Sequence, residues 1–380
     1  MRKYEIDYLR VYAFLLLILF HAGMLFVPWD FYIKNNETSK WFDLPMFFTH
    51  QWRLPLLFII SGIGTYFSIS RRSLKGFAGE RFIRLFIPLV FGIIVIVPPQ
   101  VYIERLIQGF SYSSYWDFYI HDQFTKGYYG NGSGGNIGWH HLWFIMYLFI
   151  FSMLLIVLKK PLDAFSTYFK KMSQLLNGWI IFFFLCIPTF LSEYYLRPLF
   201  PMNLSLQSDW YIFSEYLWFF LCGYLISRNM DDIWPVLKKS KYATLFIGIS
   251  CYLVYGYLFL LPGYEFEKAL LRSIHVWFML FAIFGFAIQY LTKKSSWLAY
   301  ANEAVYPFYI LHQTVMAVII YYIRDLELNI FIKFGIVASG TFLICWILYH
   351  FLIRKIGLLR FLFGMKPRPK MEIQKNQAIN

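Results

Sequence analysis

Residues 4–29 read YEIDYLRVYAFLLLILFHAGMLFVPW. The ten residues VYAFLLLILF in the middle of this stretch are all apolar or tyrosine, which indicates the core of a membrane-spanning helix. Within residues 6–27, three strongly polar side chains flank that core: Asp7 and Arg10 before it, and His21 directly after it. The stretch therefore predicts a first span that carries an acid, a base and an imidazole.

Helical geometry places these three side chains on one face. An α-helix turns about 100° per residue, so Asp7 and Arg10 lie one turn apart on the same side. His21 follows Arg10 by eleven residues, which brings it back to within about 20° of that face and roughly 16 Å along the axis. Ionisable groups in spans usually face a cavity or a partner. These three residues either form a functional site, or they are an ordinary juxtamembrane charge pair and a histidine that is hydrogen-bonded to a neighbouring helix.

Composition extends the membrane assignment to the whole chain. Of the 380 residues, 59% are hydrophobic and only 15% are charged, whereas soluble domains average about 25% charged residues. The net charge of +14 follows the membrane topology described next, so no nucleic-acid partner is expected. Each cysteine lies inside an apolar run without CxxC spacing, which argues against a disulfide framework or a zinc site. The cysteines are Cys186, Cys222, Cys251 and Cys345.

The apolar runs predict an all-α bundle of about ten transmembrane helices. The spans are roughly 6–27, 52–69, 82–101, 142–158, 176–193, 210–227, 242–261, 271–291, 304–323 and 331–353. Ten is even, so both termini share a side. The loops on that side, together with Arg10, hold 25 of the 35 lysines and arginines, which places both termini in the cytoplasm.

The chain is expected to form one membrane-embedded domain followed by a polar tail. Residues 1–360 form a membrane-embedded domain, and residues 361–380 form a polar, basic cytoplasmic tail that can contact anionic lipid. The longest outer loop, 102–141, carries acidic residues, His121 and a glycine-rich piece at 127–138. Its aromatic and small polar residues suit a sugar-binding surface, and they suit an interfacial loop equally.

Two arginines in the predicted turn between spans two and three form a second candidate cluster. Arg81 and Arg84 are three residues apart and share a face at the expected start of the third helix. Guanidinium groups at a helix N-terminus make a good phosphate grip. The alternative is the positive-inside rule, which places arginines here in any membrane protein.

Histidines mark two further spans. His140 and His141, followed by Trp143, stand at the outer start of span four; adjacent helical residues point about 100° apart, so the pair does not indicate a metal site. In span nine, Pro307 precedes His312 within YPFYILHQ. A proline opens the backbone, and a histidine inside a span needs polar partners. This pattern fits either a functional group or a structural kink with a satisfied histidine; His275 in span eight is a weaker candidate.

Together these pieces resemble the acyltransferase 3 family of polytopic bacterial membrane enzymes over nearly the whole chain. The family opens with Asp-x-x-Arg and a histidine eleven residues after the arginine, then a Ser-Gly late in span two and an Arg-x-x-Arg at the start of span three. The matching residues are Asp7, Arg10 and His21, then Ser61-Gly62 within FIISG, then Arg81 and Arg84. The stretches HLWF at 141–144 and YILHQ at 309–313 are also similar to the family.

The chain looks most like the glucan-modifying branch of that family, which is typified by a glucan succinyltransferase. The acidic residue that many members carry after the span-four tryptophan is absent, because Trp143 is followed by Phe-Ile-Met-Tyr. An acceptor role for such an acid is therefore in doubt here. The sequence does not distinguish a succinyl group from an acetyl or another acyl group.

The resemblance implies a multi-pass enzyme of the bacterial cytoplasmic membrane that moves an acyl group from cytoplasmic acyl-CoA to a carbohydrate hydroxyl on the other side. Arg81 and Arg84 would bind the CoA head, and no metal is expected. His21 would be the general base, since imidazole is largely neutral at physiological pH. Arg10, fixed by Asp7, would polarise or orient the donor, or hold the hydrogen-bond network of His21. The residues expected near the acceptor are His140, His141, Trp143 and, in support, His312.

Two other classes remain compatible with the sequence. A transporter or flippase for a carbohydrate or lipid-linked substrate would also have about ten spans, buried charges and a broken ninth span. A catalytically silent partner in polysaccharide assembly would tolerate loss of His21. An enzyme is favoured by the arginine pair and by the helix face that carries Asp7, Arg10 and His21, because a transporter does not need a binding site for CoA.

Overall fold

The computed structural model of the chain describes residues 3–125, 135–175 and 178–367. Every element of regular structure longer than three residues within those ranges is a helix. Most of the glycine-rich piece at 127–138 lies outside the described residues, as do Arg368, Lys370 and Lys375 of the predicted tail.

Fourteen α-helices follow one another along the described chain. They are α1 (Tyr4–Met24), α2 (Asp43–Ile69), α3 (Leu74–Arg81), α4 (Ile87–Phe91), α5 (Pro98–Ile107), α6 (Tyr115–His121), α7 (Trp143–Leu175), α8 (Gly178–Leu191), α9 (Trp210–Arg228), α10 (Met230–Phe259), α11 (Glu265–Tyr290), α12 (Ser296–Ile323), α13 (Ile330–Ile347) and α14 (Gly357–Leu362). Short π-helical segments extend or join several of them: Phe82–Phe86, Gly92–Ile96, Ser192–Leu196 and Leu348–Ile353.

The all-helical membrane architecture is confirmed. Within the described residues, eight helices are long and apolar enough to cross a membrane. All ten predicted spans fall on helices, but two of them lie outside this set: the shorter apolar helix Phe182–Leu196, and α9. The count of ten and the cytoplasmic placement of both termini stay predictions.

The chain divides into two compact units. The first consists of Met1–Leu17, Phe42–Phe77 and Ile150–Leu298. Its core is largely aromatic: Phe182 stacks on Phe281 at 4.1 Å between ring centroids, and Trp277 packs against Phe219 at 4.9 Å. Burial of such large rings dominates the packing of a unit of this kind.

Two glycines let α2 and α9 of the first unit approach each other backbone to backbone. A Cβ atom added to Gly62 on α2 would lie 2.0 Å from the carbonyl oxygen of Phe220 on α9. A Cβ atom on Gly223 of α9 would lie 2.2 Å from the carbonyl oxygen of Ile59. Small residues let membrane helices approach backbone to backbone. The Ser-Gly motif of span two thus has a packing role in this chain.

The second unit consists of Ile18–Trp41, Ala78–Phe149 and Ala299–Asn380. Part of the predicted outer loop 102–141 is helical here, because α5 continues to Ile107 and α6 begins after Ser114. The Ser114 hydroxyl caps α6 by accepting a hydrogen bond from the backbone N–H of Asp117. The buried Arg105 donates to the side chain of Asn136 at 2.8 Å, which fastens the end of the loop to α5.

The described end of the chain is anchored in the second unit by charge. Glu303 on α12 accepts a hydrogen bond from Arg360 at 2.8 Å and from the hydroxyl of Tyr349 at 2.9 Å. Gly364 follows α14 with φ +64° and lies so close to Arg84 and Tyr306 that a Cβ atom would be 2.7 Å from each. Only glycine fits this conformation and this space without strain.

We expect the Gly62→Ala variant to be destabilised by about 1–3 kcal/mol or more, because the new methyl group overlaps a backbone carbonyl that cannot rotate away. Gly256→Ala is the matched control: Gly256 is also inside a helix of the first unit, and its Cβ would meet no atom within 4 Å. Alanine favours a helix over glycine by up to about 1 kcal/mol. Thermal unfolding in detergent should therefore lower Tm for Gly62→Ala alone; equal Tm values for both variants would contradict the packing role.

Candidate active site

Two histidines from distant parts of the sequence are hydrogen-bonded in the second unit. Nε2 of His312 lies 3.0 Å from Nδ1 of His21, and the two rings are 5.0 Å apart between centroids. His312 is fully buried on α12, whereas His21, in the last turn of α1, is only partly buried. The pair therefore presents one accessible imidazole backed by an inaccessible one.

The backbone of α12 sets the direction of this hydrogen bond. Nδ1 of His312 lies 2.7 Å from the carbonyl oxygen of Tyr309, and since a carbonyl only accepts, Nδ1 of His312 carries a proton. In the neutral pair, Nε2 of His312 is then an acceptor, and His21 must donate from its own Nδ1. Nε2 of His21 is left with the lone pair, which is the form that a general base requires.

A third histidine lies against the second. The ring of His141 is 5.2 Å from that of His312 and nearly perpendicular to it, at 87°. His141 donates from Nε2 to the carbonyl oxygen of Ile310 at 2.9 Å, and the Tyr309 hydroxyl donates to the carbonyl oxygen of His141 at 2.5 Å. These two bonds join the HLWF and YILHQ stretches. Nδ1 of His141 is buried and has no hydrogen-bond partner among the described residues.

A narrow cleft adjoins His21. It is lined by aromatic and apolar residues of the 25–33 segment, together with Gln313 and Met316 of α12. Gln313 donates to the hydroxyl of Tyr32, so both residues of the predicted His-Gln pair find polar partners. Helix α12 stays continuous through Pro307, without the expected break. The proline is accommodated inside the helix while the backbone around His312 remains ordered.

His140 and Trp143, the other residues expected near the acceptor, flank this cluster in sequence. His140 has a positive φ of 43°, which is uncommon for a residue other than glycine. Its ring packs against Tyr32 at 6.2 Å. Trp143 is buried and packs edge-on against Tyr147 at 5.4 Å. Backbone outliers of this kind cluster at functional sites, and here the outlier turns the chain from the outer loop into α7.

In the first unit, Asp7 and Arg10 are paired as the helical spacing predicted. Nη1 of Arg10 lies 3.6 Å from Oδ1 of Asp7, and the two side chains are 33% and 14% exposed. Arg10 also lies against α2, since a Cβ on Gly64 would be 3.5 Å from its Nη2, an ordinary van der Waals distance. The pair is partly shielded from water, which strengthens its attraction.

The expectation that Arg81 and Arg84 begin a helix is wrong. Helix α3 begins at Leu74, because the Ser73 hydroxyl accepts a hydrogen bond from the backbone N–H of Gly76 and caps it there. The two arginines therefore lie two to three turns inside a helical segment, where the partial charge of a helix N-terminus has faded. Arg84 itself lies in the π-helical segment Phe82–Phe86.

Arg84 also has a structural contact that the sequence did not suggest. Its Nε donates to the carbonyl oxygen of Gly364 at 3.0 Å, and its Nη1 lies 3.4 Å from Glu80. The side chain nevertheless stays 39% exposed. A guanidinium has five N–H donors, so these two contacts do not use all of them.

A buried ionic cluster that was not predicted from the sequence lies in the first unit. Arg272 donates to Glu193 at 2.7 Å, to Glu215 at 3.1 Å and to the Gln51 side chain at 3.0 Å. The Tyr211 hydroxyl adds a bond to Glu193 at 2.5 Å. The signal was present in the sequence, since Glu193, Glu215 and Arg272 each fall inside a predicted span, where charged residues are costly and usually functional.

No metal site accompanies these groups in the part of the chain that the structure describes: no three histidine, cysteine, aspartate or glutamate residues there are arranged to hold a metal ion. The expectation that the protein works without a metal stays a prediction.

Fold and site together define a polytopic membrane protein with a buried histidine cluster. The model of a family described as "Acyltransferase domain" matches residues 3–350. The chain belongs to this family, the acyltransferase 3 family, as the resemblance of its motifs predicted.

Several curated relatives match over the full length. The glucans biosynthesis protein C of Escherichia coli O81 (strain ED1a) is 26% identical and covers 99% of this chain and 98% of its own. The proteins of the same name from Escherichia coli (strain K12) and Shigella dysenteriae serotype 1 (strain Sd197) are each 25% identical with the same coverage. No solved structure matches the chain.

The hydrogen-bond direction derived above can be tested without any substrate. We expect ¹⁵N solid-state NMR of histidine-labelled protein to show His21 protonated at Nδ1 in the neutral state, with its signals identified by their loss in His21→Asn. In His312→Phe the acceptor is gone, and His21 should shift toward the Nε2–H form that isolated imidazole prefers. A wild-type His21 protonated at Nε2 would contradict the assignment.

Proposed function

We propose that the protein is an O-acyltransferase of the bacterial cytoplasmic membrane, which moves an acyl group from cytoplasmic acyl-CoA to a hydroxyl of an extracytoplasmic carbohydrate. Membership of the acyltransferase 3 family supports the reaction class. The names of the full-length relatives support a glucan as the carbohydrate. The observation that carries the proposal is the His21–His312 hydrogen bond, which leaves a basic nitrogen on the accessible imidazole.

His21 is the proposed general base. Its Nε2 takes the proton of the acceptor hydroxyl as that oxygen attacks the thioester carbonyl; the new C–O bond forms, the C–S bond breaks, and the proton leaves with the CoA thiolate. The positive charge that develops on His21 is shared through Nδ1–H with His312, which the Tyr309 carbonyl holds in place. His312 is thus a positioning residue, much as a carboxylate positions histidine in hydrolytic triads.

The remaining residues have proposed supporting roles. Arg10, held by Asp7, orients the donor. His140, His141 and Trp143 border the acceptor side, where the buried Nδ1 of His141 can accept a hydrogen bond from a sugar hydroxyl. Arg84, whose side chain is 39% exposed, and the neighbouring Arg81 bind the phosphates of CoA, as guanidinium groups commonly do. The basic tail contacts anionic lipid.

We expect His21→Ala to bind acyl-CoA normally and to transfer the acyl group about 10²–10⁴-fold more slowly, which is the contribution of one general base. The measurement is transfer of label from a panel of radiolabelled short acyl-CoAs to a cell-envelope glycan extract by purified protein in detergent. His121→Ala is the matched control, because His121 is an exposed histidine of α6 whose hydrogen-bond partner among the described residues is Asp117 of the same helix. Full activity in His21→Ala would remove His21 from the mechanism. No label with any donor, and no CoA binding, would favour a transporter.

Binding of acyl-CoA tests the arginine pair separately. We expect Arg81→Ala and Arg84→Ala each to raise the Kd for acyl-CoA about tenfold, equivalent to the loss of one charged hydrogen bond of ~1.4 kcal/mol. Arg71→Ala removes the same charge from an exposed residue of the same turn. Equal Kd values for the Arg71 and Arg81 variants would show that these arginines only set topology. Because Arg84 also contacts Gly364, its variant is interpreted only if its Tm is unchanged.

A further inference from the structure

The first unit contains a pocket of about 380 Å³ that the proposed reaction has not used. It is formed by the π-helical end of the α8 segment, the end of α10 and the first two turns of α11. Its wall carries two carboxylates, two basic groups and three aromatic rings. Those residues are Glu193, Glu265, Arg197, Lys268, Tyr194, Tyr255 and Phe259. The volume lies within the range of small-molecule sites.

The charges of this pocket are balanced. Arg197 is paired with Glu193, and Lys268 lies 3.1 Å from Glu265. The pKa of Arg197 is raised above its ordinary value, since burial opposes the charge but the Glu193 carboxylate outweighs that effect. Behind the pocket, Arg272 is shared between Glu193 and Glu215. An anionic or cationic ligand would have to compete with these internal partners, whereas a neutral polar ligand would not.

The wall also offers the two kinds of contact that a sugar requires. Carboxylates accept hydrogen bonds from hydroxyl groups, and the ammonium and guanidinium groups donate to hydroxyl and ring oxygens. Phe259 is 53% exposed at the end of α10, where its ring can pack on the C–H face of a pyranose. Tyr194, stacked on Phe190 at 5.8 Å, gives a second flat surface.

The local backbone is shaped to bring these groups together. Gly263 and Tyr264 both have positive φ angles, 79° and 63°, and turn the chain from α10 directly into α11. Glu193 lies in the π-helical segment Ser192–Leu196, and π-helical turns are frequent at functional sites. A non-glycine residue in a left-handed conformation costs free energy that the surrounding structure must offset.

We infer that this pocket of the first unit binds a neutral carbohydrate and serves as a subsite for one or two sugar rings of the acceptor. The inference rests on the proposed function for the identity of its ligand. The pocket opens at the ends of helices that the predicted topology places outside the cytoplasm, the side on which an extracytoplasmic glycan is found.

The probe is a panel of neutral glucose trisaccharides: sophorotriose, laminaritriose and maltotriose. Isothermal titration calorimetry on the full-length protein in detergent should detect binding of at least one of them. Phe259→Ala should weaken that binding about tenfold. The double variant Glu265→Gln with Lys268→Met removes both charges of this pair without changing the net charge, and it should weaken the binding by as much or more, because hydrogen bonds to charged groups are the stronger ones. Phe246→Ala is the matched control, an exposed phenylalanine of the same helix that does not line the pocket.

The outcomes separate the pocket from the reaction. His21→Ala should bind the trisaccharide as the wild type does, and Phe259→Ala should raise the KM for acceptor without lowering kcat. Acyl transfer with an acceptor KM that none of the pocket variants changes would overturn the pocket while leaving the proposed function intact. If Phe259→Ala weakens trisaccharide binding but the protein has no transferase activity, the proposed function is wrong and the assignment of the pocket as a sugar-binding site stands. Binding of succinate at this pocket but of no trisaccharide would overturn the inference.

Discussion

The candidate site depends on the hydrogen bond between His21 and His312. Two imidazoles in an apolar region can be placed 3.0 Å apart only if one of them donates and the other accepts. The Tyr309 carbonyl makes His312 the acceptor, because it accepts a hydrogen bond from Nδ1–H of His312 and so leaves Nε2 without a proton. A helix backbone, which no side-chain substitution removes, thus fixes the protonation pattern of a residue at the end of a different helix. The surrounding contacts between His141, Tyr309 and Ile310 keep that backbone in register.

The sequence predicted the parts of this site better than their assembly. The apolar runs, the Asp7 and Arg10 pair and the candidate histidines follow from local periodicity, which is set by helical geometry. Which histidines meet does not follow, because the partners are 291 residues apart and their contact depends on helix packing. His312 was an expected supporting residue. Tyr309 contributes its backbone carbonyl and Tyr32 its hydroxyl, and since any residue has a carbonyl and every tyrosine a hydroxyl, neither could be singled out from the sequence. The order of the motifs along the chain, through the family resemblance, was what grouped these histidines as candidate site residues.

The arginine pair shows why element boundaries are harder to predict than elements. Hydropathy places the start of the third span where the apolar run begins, near residue 82. The helix itself begins at Leu74, since a serine cap and a glycine-containing turn are enough to start it in a polar segment. Membrane burial and helix formation are different constraints, and only the first leaves a strong signal in composition. Arg81 and Arg84 therefore lie inside a helical segment and not at its N-terminus.

The buried ionic cluster of the first unit costs folding free energy. Moving Glu193, Glu215 and Arg272 out of water costs several kcal/mol for each charge, and their mutual attraction offsets this only where the geometry is good. A well-packed apolar set would have served a purely structural unit at lower cost. One oxygen of Glu215 even lacks a hydrogen-bond partner among the described residues. A buried cluster that carries such a cost, and whose Glu193 also lines the pocket of this unit, is better explained by ligand recognition than by stability.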